Sequence, residues 1–386
     1  MDSFFAVTAP GLEPFTAQEL RSLGLLALES SGDGQPIAAA FTGGGIAFSG
    51  DLTALYRANL QLRTATRVLL RLGEFYVAAY SELRRKLRRL DWPRFLAAGQ
   101  RVNIRVTCQK SKLSHSGDVA DHVAAAIAHR VGGPIDRHQS DDDESGDPVC
   151  LVVVRLQRDQ CSVSIDTSGE PLHRRGYRQA VAKAPLRETV AAALLMATEW
   201  DARSPLLDPF CGSGVIPIEA ALLGLGVAPG RNRRFAFMDW PDFDPARWQA
   251  LLSETPSAAE IATPAPPILG SDRDAGAIRM AQENAERAGV AGCIEFACHA
   301  VSAIKAPPGP GWVLTNPPYG IRVSGGQDLR NLYAQFGNVL RAQCSGWRVG
   351  ILCSDRNLLA QTQLSLETEV GFVTGGMRVW LGRGKI

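Results

Sequence analysis

Residues 205–224, PLLDPFCGSGVIPIEAALLG, constrain the fold of this chain more than any other stretch. An apolar strand runs to Asp208, a turn bearing Gly212 and Gly214 follows, and an apolar helix begins directly beyond it. The glycines let the backbone turn tightly and approach a ligand with no Cβ in the way, while the first helical turn offers free N–H groups. No Lys-Ser or Lys-Thr follows, and the three-glycine dinucleotide fingerprint is missing, so the loop alone names no ligand. A second strand, PPILGSD, ends at Asp272 and leads into the helix AGAIRMAQENAERAGV. An acid at the tip of that strand can accept both hydroxyl hydrogens of a ribose. Helix capping is the competing role, and either Asp272 or Asp274 could fill it.

The tetrapeptide Asn316-Pro317-Pro318-Tyr319 closes the apolar run that starts at Trp312. It suits the exocyclic amine of a flat base. Such an amine is a poor nucleophile because its lone pair is delocalised into the ring, so its hydrogens must be held and its nitrogen presented to the methyl donor. The Asn316 side-chain oxygen and the Pro317 carbonyl can accept those hydrogens, two prolines stiffen the segment, and Tyr319 can stack on an extruded base. If the proton leaves after transfer, alignment carries the reaction and no general base of matched pKa is needed. A strand followed by a proline turn would explain the prolines and leave the asparagine and tyrosine unused. Together with two strand-tip carboxylates, the tetrapeptide points to an adenosyl cofactor.

With 386 residues, two or three domains are expected. No apolar run approaches membrane-span length, and MDSFFAVTAPGLE lacks the basic segment and apolar core of a secretory signal, so the expected location is the cytoplasm. Eight cysteines, at 108, 150, 161, 211, 293, 298, 344 and 353, lack the close paired spacings of a metal site; no metal is expected, and buried thiols are the plainer reading. The net charge of +2 averages an acidic tract against basic ones.

Local charge says more. In ELRRKLRRLDWPR, Leu83, Leu87 and Leu90 define one helix face, and Arg84, Arg85, Lys86, Arg88 and Arg89 make the other strongly basic. That face is either merely solvated or phosphate-binding. Arg101, Arg105, Lys110 and Lys112 follow on a stretch where Val102, Ile104 and Val106 alternate as a strand, which favours an RNA-facing module. The tract Asp141-Asp142-Asp143-Glu144 reads as a mobile surface loop. VCLVVVRLQ and CSVSIDTSG read as neighbouring strands, completing one α/β module, preceded by a smaller unit with a helix from Glu13 to Leu23. At the junction beyond, Arg174, Arg175 and Arg178 could reach phosphates or form internal ion pairs. Between residues 231 and 260, Trp240, Trp248, Phe235, Phe237 and Phe243 read as packing over the sheet edge, with Arg231, Arg233 and Arg234 as extensions of an RNA surface. Residues 321–330 are Gly-rich and polar and could order around RNA.

On SFFAVTAPGLE, SIDTSGEPLHRRGYR, APLRETVAAAL, LLDPFCGSGVIPIEAA, GSDRDAGAI, ENAERAG and NPPYG, in that order, the chain resembles the THUMP-containing RNA methyltransferases, specifically the ribosomal large-subunit guanine-N2 group. The resemblance implies an α/β chain: a ferredoxin-like unit (1–66), a THUMP RNA-binding domain (67–166), a linker (167–185) and a Rossmann-like class I methyltransferase domain (186–386) with a mostly parallel seven-stranded sheet. It implies S-adenosyl-L-methionine as cofactor, S-adenosyl-L-homocysteine as product, and 23S rRNA or its precursor as partner, with N2-methylguanosine formed. Asp208, Pro209, Phe210, Cys211, Gly212 and Gly214 then form the methionine-side loop and Asp272, with Arg273 beside it, the ribose site. Asn316, Pro317, Pro318 and Tyr319 form the base clamp. The family's acid for the cofactor adenine is replaced by Ala300, beside His299, which removes one hydrogen bond worth roughly 1 kcal/mol. Some relatives fuse a second methyltransferase domain; with the chain ending at Ile386, a single activity and a monomer are expected. The alternatives are a tRNA guanine-N2 methyltransferase and a non-catalytic RNA-binding or assembly factor. DNA adenine methylation shares the clamp and is disfavoured by the basic N-terminal half.

Overall fold

Two sheets carry the molecule. The structure, a computed structural model, describes residues 1–26, 44–138, 149–179, 186–257, 267–319 and 328–386; the acidic tract and residues 320–327 lie outside the described residues. The first sheet contains β1 (Asp2–Thr8), β2 (Gly45–Gly50), β3 (Ala65–Tyr76), β4 (Arg101–Gln109), β5 (Asp136–His138), β6 (Cys150–Gln157) and β7 (Gln160–Asp166). Their order is β2-β1-β3-β7-β6-β4-β5. The long β3 belongs to both N-terminal units: its first part pairs with β1 and the stretch from Leu69 onward pairs with β7. Arg158 and Asp159, both at positive φ, close the β6–β7 hairpin as a two-residue turn whose twist matches the strands. Helices α1 (Glu13–Ser22), α2 (Leu52–Gln61), α3 (Tyr80–Leu87) and α4 (Ser116–Val131) complete this lobe. On α3 the leucines behave as their spacing requires: Leu83 and Leu87 are fully buried, and Arg84, Arg85, Arg88 and Arg89 are exposed.

The second sheet contains β8 (Leu206–Asp208), β9 (Ile268–Asp272), β10 (Ile294–Cys298), β11 (Trp312–Thr315), β12 (Arg348–Cys353), β13 (Leu366–Glu367), β14 (Gly371–Thr374) and β15 (Met377–Lys385). The order β10-β9-β8-β11-β12-β15-β13 makes seven strands on one path, and β14 adds an eighth by pairing with β15. The first five are mutually parallel and β15 runs against them. The helices are α5 (Glu188–Ala197), α6 (Val215–Gly224), α7 (Pro245–Ser253), α8 (Ala275–Arg287), α9 (Arg330–Gln343) and α10 (Arg356–Gln361). Side chains from α5, α6 and α8 form one core layer and those from α9 and α10 the opposite one, so α6, apolar on every side except at Glu219, is buried as such a helix must be.

The aromatic stretch after α6 corrects the expectation from sequence. It packs into the N-terminal lobe, not over an edge of the second sheet. Phe237 stacks on Tyr56 of α2 at 4.6 Å, Trp240 meets Phe95 edge-on at 4.7 Å, and Trp248 of α7 meets Tyr56, Phe235 and Phe237. The backbone joins too: Gly230 N–H donates to Leu60 O (2.9 Å) and Phe237 N–H to Thr167 O (3.2 Å). In the opposite direction, Leu12 is buried in the core of the second lobe, Phe15 packs edge-on against Phe372, and Val373 N–H donates to Pro10 O. Each lobe thus inserts apolar chain into the other.

Arginines staple this joint from inside. Arg233, expected on an RNA surface, donates to the carbonyls of Pro171, Arg174, Ser168 and Glu170, and Arg231 donates to those of Leu252 and Thr255. Arg175 is buried, donates to Leu172 O and Arg63 O, and lies 3.5 Å from Glu219, which is fully buried. Arg178 donates to Leu186 O and pairs with Glu188. Only Arg174 of the junction trio is substantially exposed, and it pairs with Glu170. Among the cysteines, Cys298 is exposed and Cys108 and Cys293 are half-buried; the other five are buried.

Candidate active site

Four adjacent parallel strands, β10, β9, β8 and β11, end at one edge of the second sheet and bring the candidate residues together there, the location where open α/β sheets bind ligands. Asp208 ends β8 and is buried. The Thr315 hydroxyl (2.6 Å) and the Phe210 N–H (3.2 Å) both donate to its Oδ1. Burial pushes its carboxyl up to about 7 despite these donors, and the nearby Asp272 pushes in the same direction. Gly212 and Gly214 sit at φ of +52° and +83°, as the tight turn requires. At Gly214 a Cβ would also lie 2.9 Å from that of Ala281, so glycine lets α6 and α8 approach. Cys211 is buried, with its thiol pushed well up by burial, and Pro209 is buried beside it. Phe210 stands edge-on to Phe336 of α9 at 5.2 Å.

Asp274 takes the capping role that the sequence left open between it and Asp272. Asp274 caps α8, accepting from Gly276 N–H at 2.7 Å. Asp272 accepts from Asp274 N–H (3.0 Å) and, through its other oxygen, from Gly212 N–H (3.1 Å), which ties the second strand tip to the glycine loop. Arg273 is exposed next to it. At the end of β10, His299 N–H donates to Asp272 O, and its Nδ1 lies 3.1 Å from Ala300 O. Ala300 itself is exposed and presents no carboxylate.

Asn316 follows β11. Its Oδ1 is buried and has no hydrogen-bond partner among the described residues. Buried acceptors are nearly always paired, so this oxygen is open to a donor from outside the described residues. Pro317 is buried, and Tyr319 is half-buried with its phenol pushed up to about 12 by burial.

Three contributors escaped the sequence reading. Thr315 holds Asp208. Asn284 of α8 is fully buried and donates to Ser213 O at 3.0 Å, which braces the glycine loop; the run ENAERAG carried that signal without disclosing it. Tyr333 of α9 places its hydroxyl 3.3 Å from both Pro318 O and the Cys353 sulfur. Nothing local in the sequence marks Tyr333, because its partners come from two other elements.

The donor set fits an adenosyl cofactor: a glycine cradle, a strand-tip acid beside it, and an unpaired amide acceptor one strand away. Such a site on such a sheet defines a class I, S-adenosyl-L-methionine-dependent methyltransferase. Comparison with known proteins narrows the class. A family model described as RMKL-like, methyltransferase domain matches residues 175–377. An RlmL ferredoxin-like domain matches 3–69 and a THUMP domain 77–166. "Putative RNA methyltransferase slr0064" of Synechocystis sp. (strain ATCC 27184 / PCC 6803 / Kazusa) is 35% identical over 97% of this chain and 94% of its own length. Ribosomal RNA large subunit methyltransferase K/L of Syntrophotalea carbinolica is also 35% identical, over 92% of this chain and 49% of its own length, so the chain spans about half of that relative. The solved structure of SMU.472, described as "a putative methyltransferase complexed with SAH", superposes with a TM-score of 0.84 at 28% identity, covering 100% of this chain and 98% of that one. The chain belongs to the RMKL-like methyltransferase family.

Proposed function

We propose that the protein methylates the exocyclic N2 of a guanine in 23S rRNA, with the base flipped out of its stack into the Asn316–Tyr319 clamp. The orphaned, buried Oδ1 of Asn316 carries this reading. An amine hydrogen supplies the missing donor, and the Pro317 carbonyl takes the second. Held by both, the amine nitrogen faces the edge where Asp208, the glycine loop and Asp272 would hold the cofactor. S-adenosyl-L-methionine would supply a methyl group activated on a sulfonium, whose S–CH3 bond would break as the methyl passes to nitrogen, with S-adenosyl-L-homocysteine as the leaving group. The chain's own residues orient the amine, and Tyr319 covers the base face. As the new N–C bond forms, the nitrogen becomes cationic and then releases its proton to water, so no side chain needs to be a strong base. The THUMP match and the names of the two curated relatives support an RNA substrate, and the exposed arginines of α3 supply a surface for it.

Incubation with labelled S-adenosyl-L-methionine and separate unmodified 23S rRNA and tRNA, followed by nucleoside mass spectrometry, tests the proposal. N2-methylguanosine in 23S rRNA is expected. The same product in tRNA alone overturns the substrate, and a methylated adenine overturns the base. Asn316→Ala is expected to keep its fold and RNA affinity while turnover falls at least tenfold, about 1.4 kcal/mol of transition-state stabilisation. Near-normal turnover in that variant would remove the clamp from the mechanism.

A further inference from the structure

At the same edge of the second sheet stands a basic cluster that the reaction does not use. Trp380 of β15 pairs across the ladder with Cys353 at the end of β12. Thr315, just before the clamp, is in register with Ile351 and through it with Gly382. Trp380 therefore sits about two residues above Thr315 and two strand spacings, about 10 Å, to its side. The contact chain is continuous: Pro318 O, the Tyr333 hydroxyl, the Cys353 sulfur, and then the strand carrying Trp380.

Two guanidinium groups lie over the Trp380 ring, that of Arg356 at 3.7 Å and that of Arg378 at 4.4 Å from its centroid. Both arginines are exposed. Among the described residues neither meets a carboxylate; Arg356 donates one hydrogen bond, to Thr368 O, and Arg378 has only the ring. Other exposed arginines of this lobe are neutralised locally in places, as Arg383 is by Glu367 and Arg330 by Asp328. Stacking on an indole fixes the plane of a guanidinium while leaving its N–H edge free, the geometry that grips phosphate oxygens in pairs. Gly375 and Gly376, both at positive φ, turn the β14–β15 hairpin tightly and present Arg378 directly after it.

We propose that Arg356, Trp380 and Arg378 form a second RNA contact, which grips the phosphate backbone of the single strand that delivers its base to the Asn316 clamp. The inference rests on the reading of the substrate as RNA. A strand whose base is turned out exposes its phosphates close to the extruded nucleotide, and about 10 Å from the clamp is within one or two nucleotides of it. The α3 arginines act on a different lobe, so the two surfaces hold different parts of the RNA. A role confined to hairpin packing would predict only a loss of stability.

The test compares wild type, the double variant Arg356→Gln/Arg378→Gln, and Arg356→Lys/Arg378→Lys, measuring RNA affinity against salt, S-adenosyl-L-methionine binding and thermal stability. The Gln pair is expected to lose about tenfold in RNA affinity, with the slope of log K against log salt shallower by about 1.4, or roughly 0.7 per lost phosphate contact. Cofactor binding should be unchanged. The Lys pair should keep the slope and lose part of the affinity, since charge remains and the planar fork does not. If wild type methylates RNA and the Gln pair matches it in affinity and slope, this proposal fails alone. If wild type neither binds nor methylates RNA, the substrate reading and the proposal fall together.

Discussion

Arg84, Arg85, Arg88 and Arg89 stand open on α3 and the turn that ends it, whereas Arg63, Arg175 and Arg233, chemically identical, are enclosed where the two lobes meet. The difference lies in the backbone around them. A regular helix satisfies its own carbonyls, so arginines on its outer face have nothing internal to serve. The joint is built from irregular chain and the C-terminal turns of α6 and α7, whose carbonyls lack regular helix or ladder partners, and a guanidinium with five donors in one plane can serve several at once. Arg233 takes four carbonyls, and Arg63 takes those of Leu222 and Val227 while its own carbonyl accepts from Arg175. Arg63, Arg175, Arg233 and Glu219 each leave one buried polar atom without a partner but engage at least one other. Asn316 differs, because its one side-chain acceptor is the unpartnered atom. Basic residues therefore belong to function or to scaffold according to the backbone they face.

The sharpest way to break this division is Arg175→Ala. Removing it uncovers the carbonyls of Leu172 and Arg63 and strips Glu219, fully buried, of its nearest cation. A loss of about 3–5 kcal/mol is expected by chemical denaturation, the range for breaking a buried pair from one side. A loss under about 1 kcal/mol would mean that the joint is wet or loose and that the staple account is wrong.

Replacing Arg84, Arg85, Arg88 and Arg89 together with glutamine should do the reverse. Stability is expected to stay close to wild type, because no buried group loses a partner. RNA affinity should fall at least about tenfold, and the salt slope should become shallower by up to about 3, at roughly 0.7 per contact. Unchanged binding would class the α3 face as solvated surface only.

These two sets could be told apart only partly from sequence. Leu83, Leu87 and Leu90 repeat at helical spacing, so the basic face opposite them was legible, as were the β6–β7 hairpin and the strand tips at Asp208 and Asp272. Those features are local, set by periodicity and turn chemistry. The aromatic run from Phe235 to Trp248 was legible as a core and not as whose core. Its partners Tyr56 and Phe95 lie more than a hundred residues earlier in the chain, and nothing in the run encodes the lobe it will meet. The same holds at the site: Asn316 was visible through its neighbours, while Thr315, Asn284 and Tyr333 act through contacts assembled by the fold.

Arg178 sharpens the comparison through pH. It pairs with Glu188, whose carboxyl burial pushes up to about 7 while Arg178 pulls it back down. Between the ordinary glutamate range and about 7 the folded chain binds the proton and the unfolded chain does not, so this group's stabilising contribution is complete at low pH and is lost as pH rises through 7. Arg178→Gln removes the pull, raises the folded value further, and prolongs the loss to higher pH. The variant's destabilisation relative to wild type should therefore grow by about 1 kcal/mol from pH 5 to pH 8 in parallel melts, about one unit of pKa. A constant difference would mean that Arg178 acts only through its bond to Leu186 O.

The smallest effect is expected at Arg234, and it isolates burial from sequence context. Arg231, Arg233 and Arg234 lie within four residues, and the sequence offered the same role to all three. Arg231 and Arg233 turn inward to carbonyls. Arg234 is 71% exposed and, among the described residues, meets only Asp239, itself half exposed. An exposed pair contributes little because water screens it and ordering two long side chains offsets the attraction. Arg234→Ala should change stability by no more than about 0.5 kcal/mol. Arg233→Ala, which deprives Ser168, Glu170, Pro171 and Arg174 of a donor, should cost several times that. Equal effects at the two positions would show that proximity to the joint, and not the carbonyls each arginine faces, decides what an arginine does here.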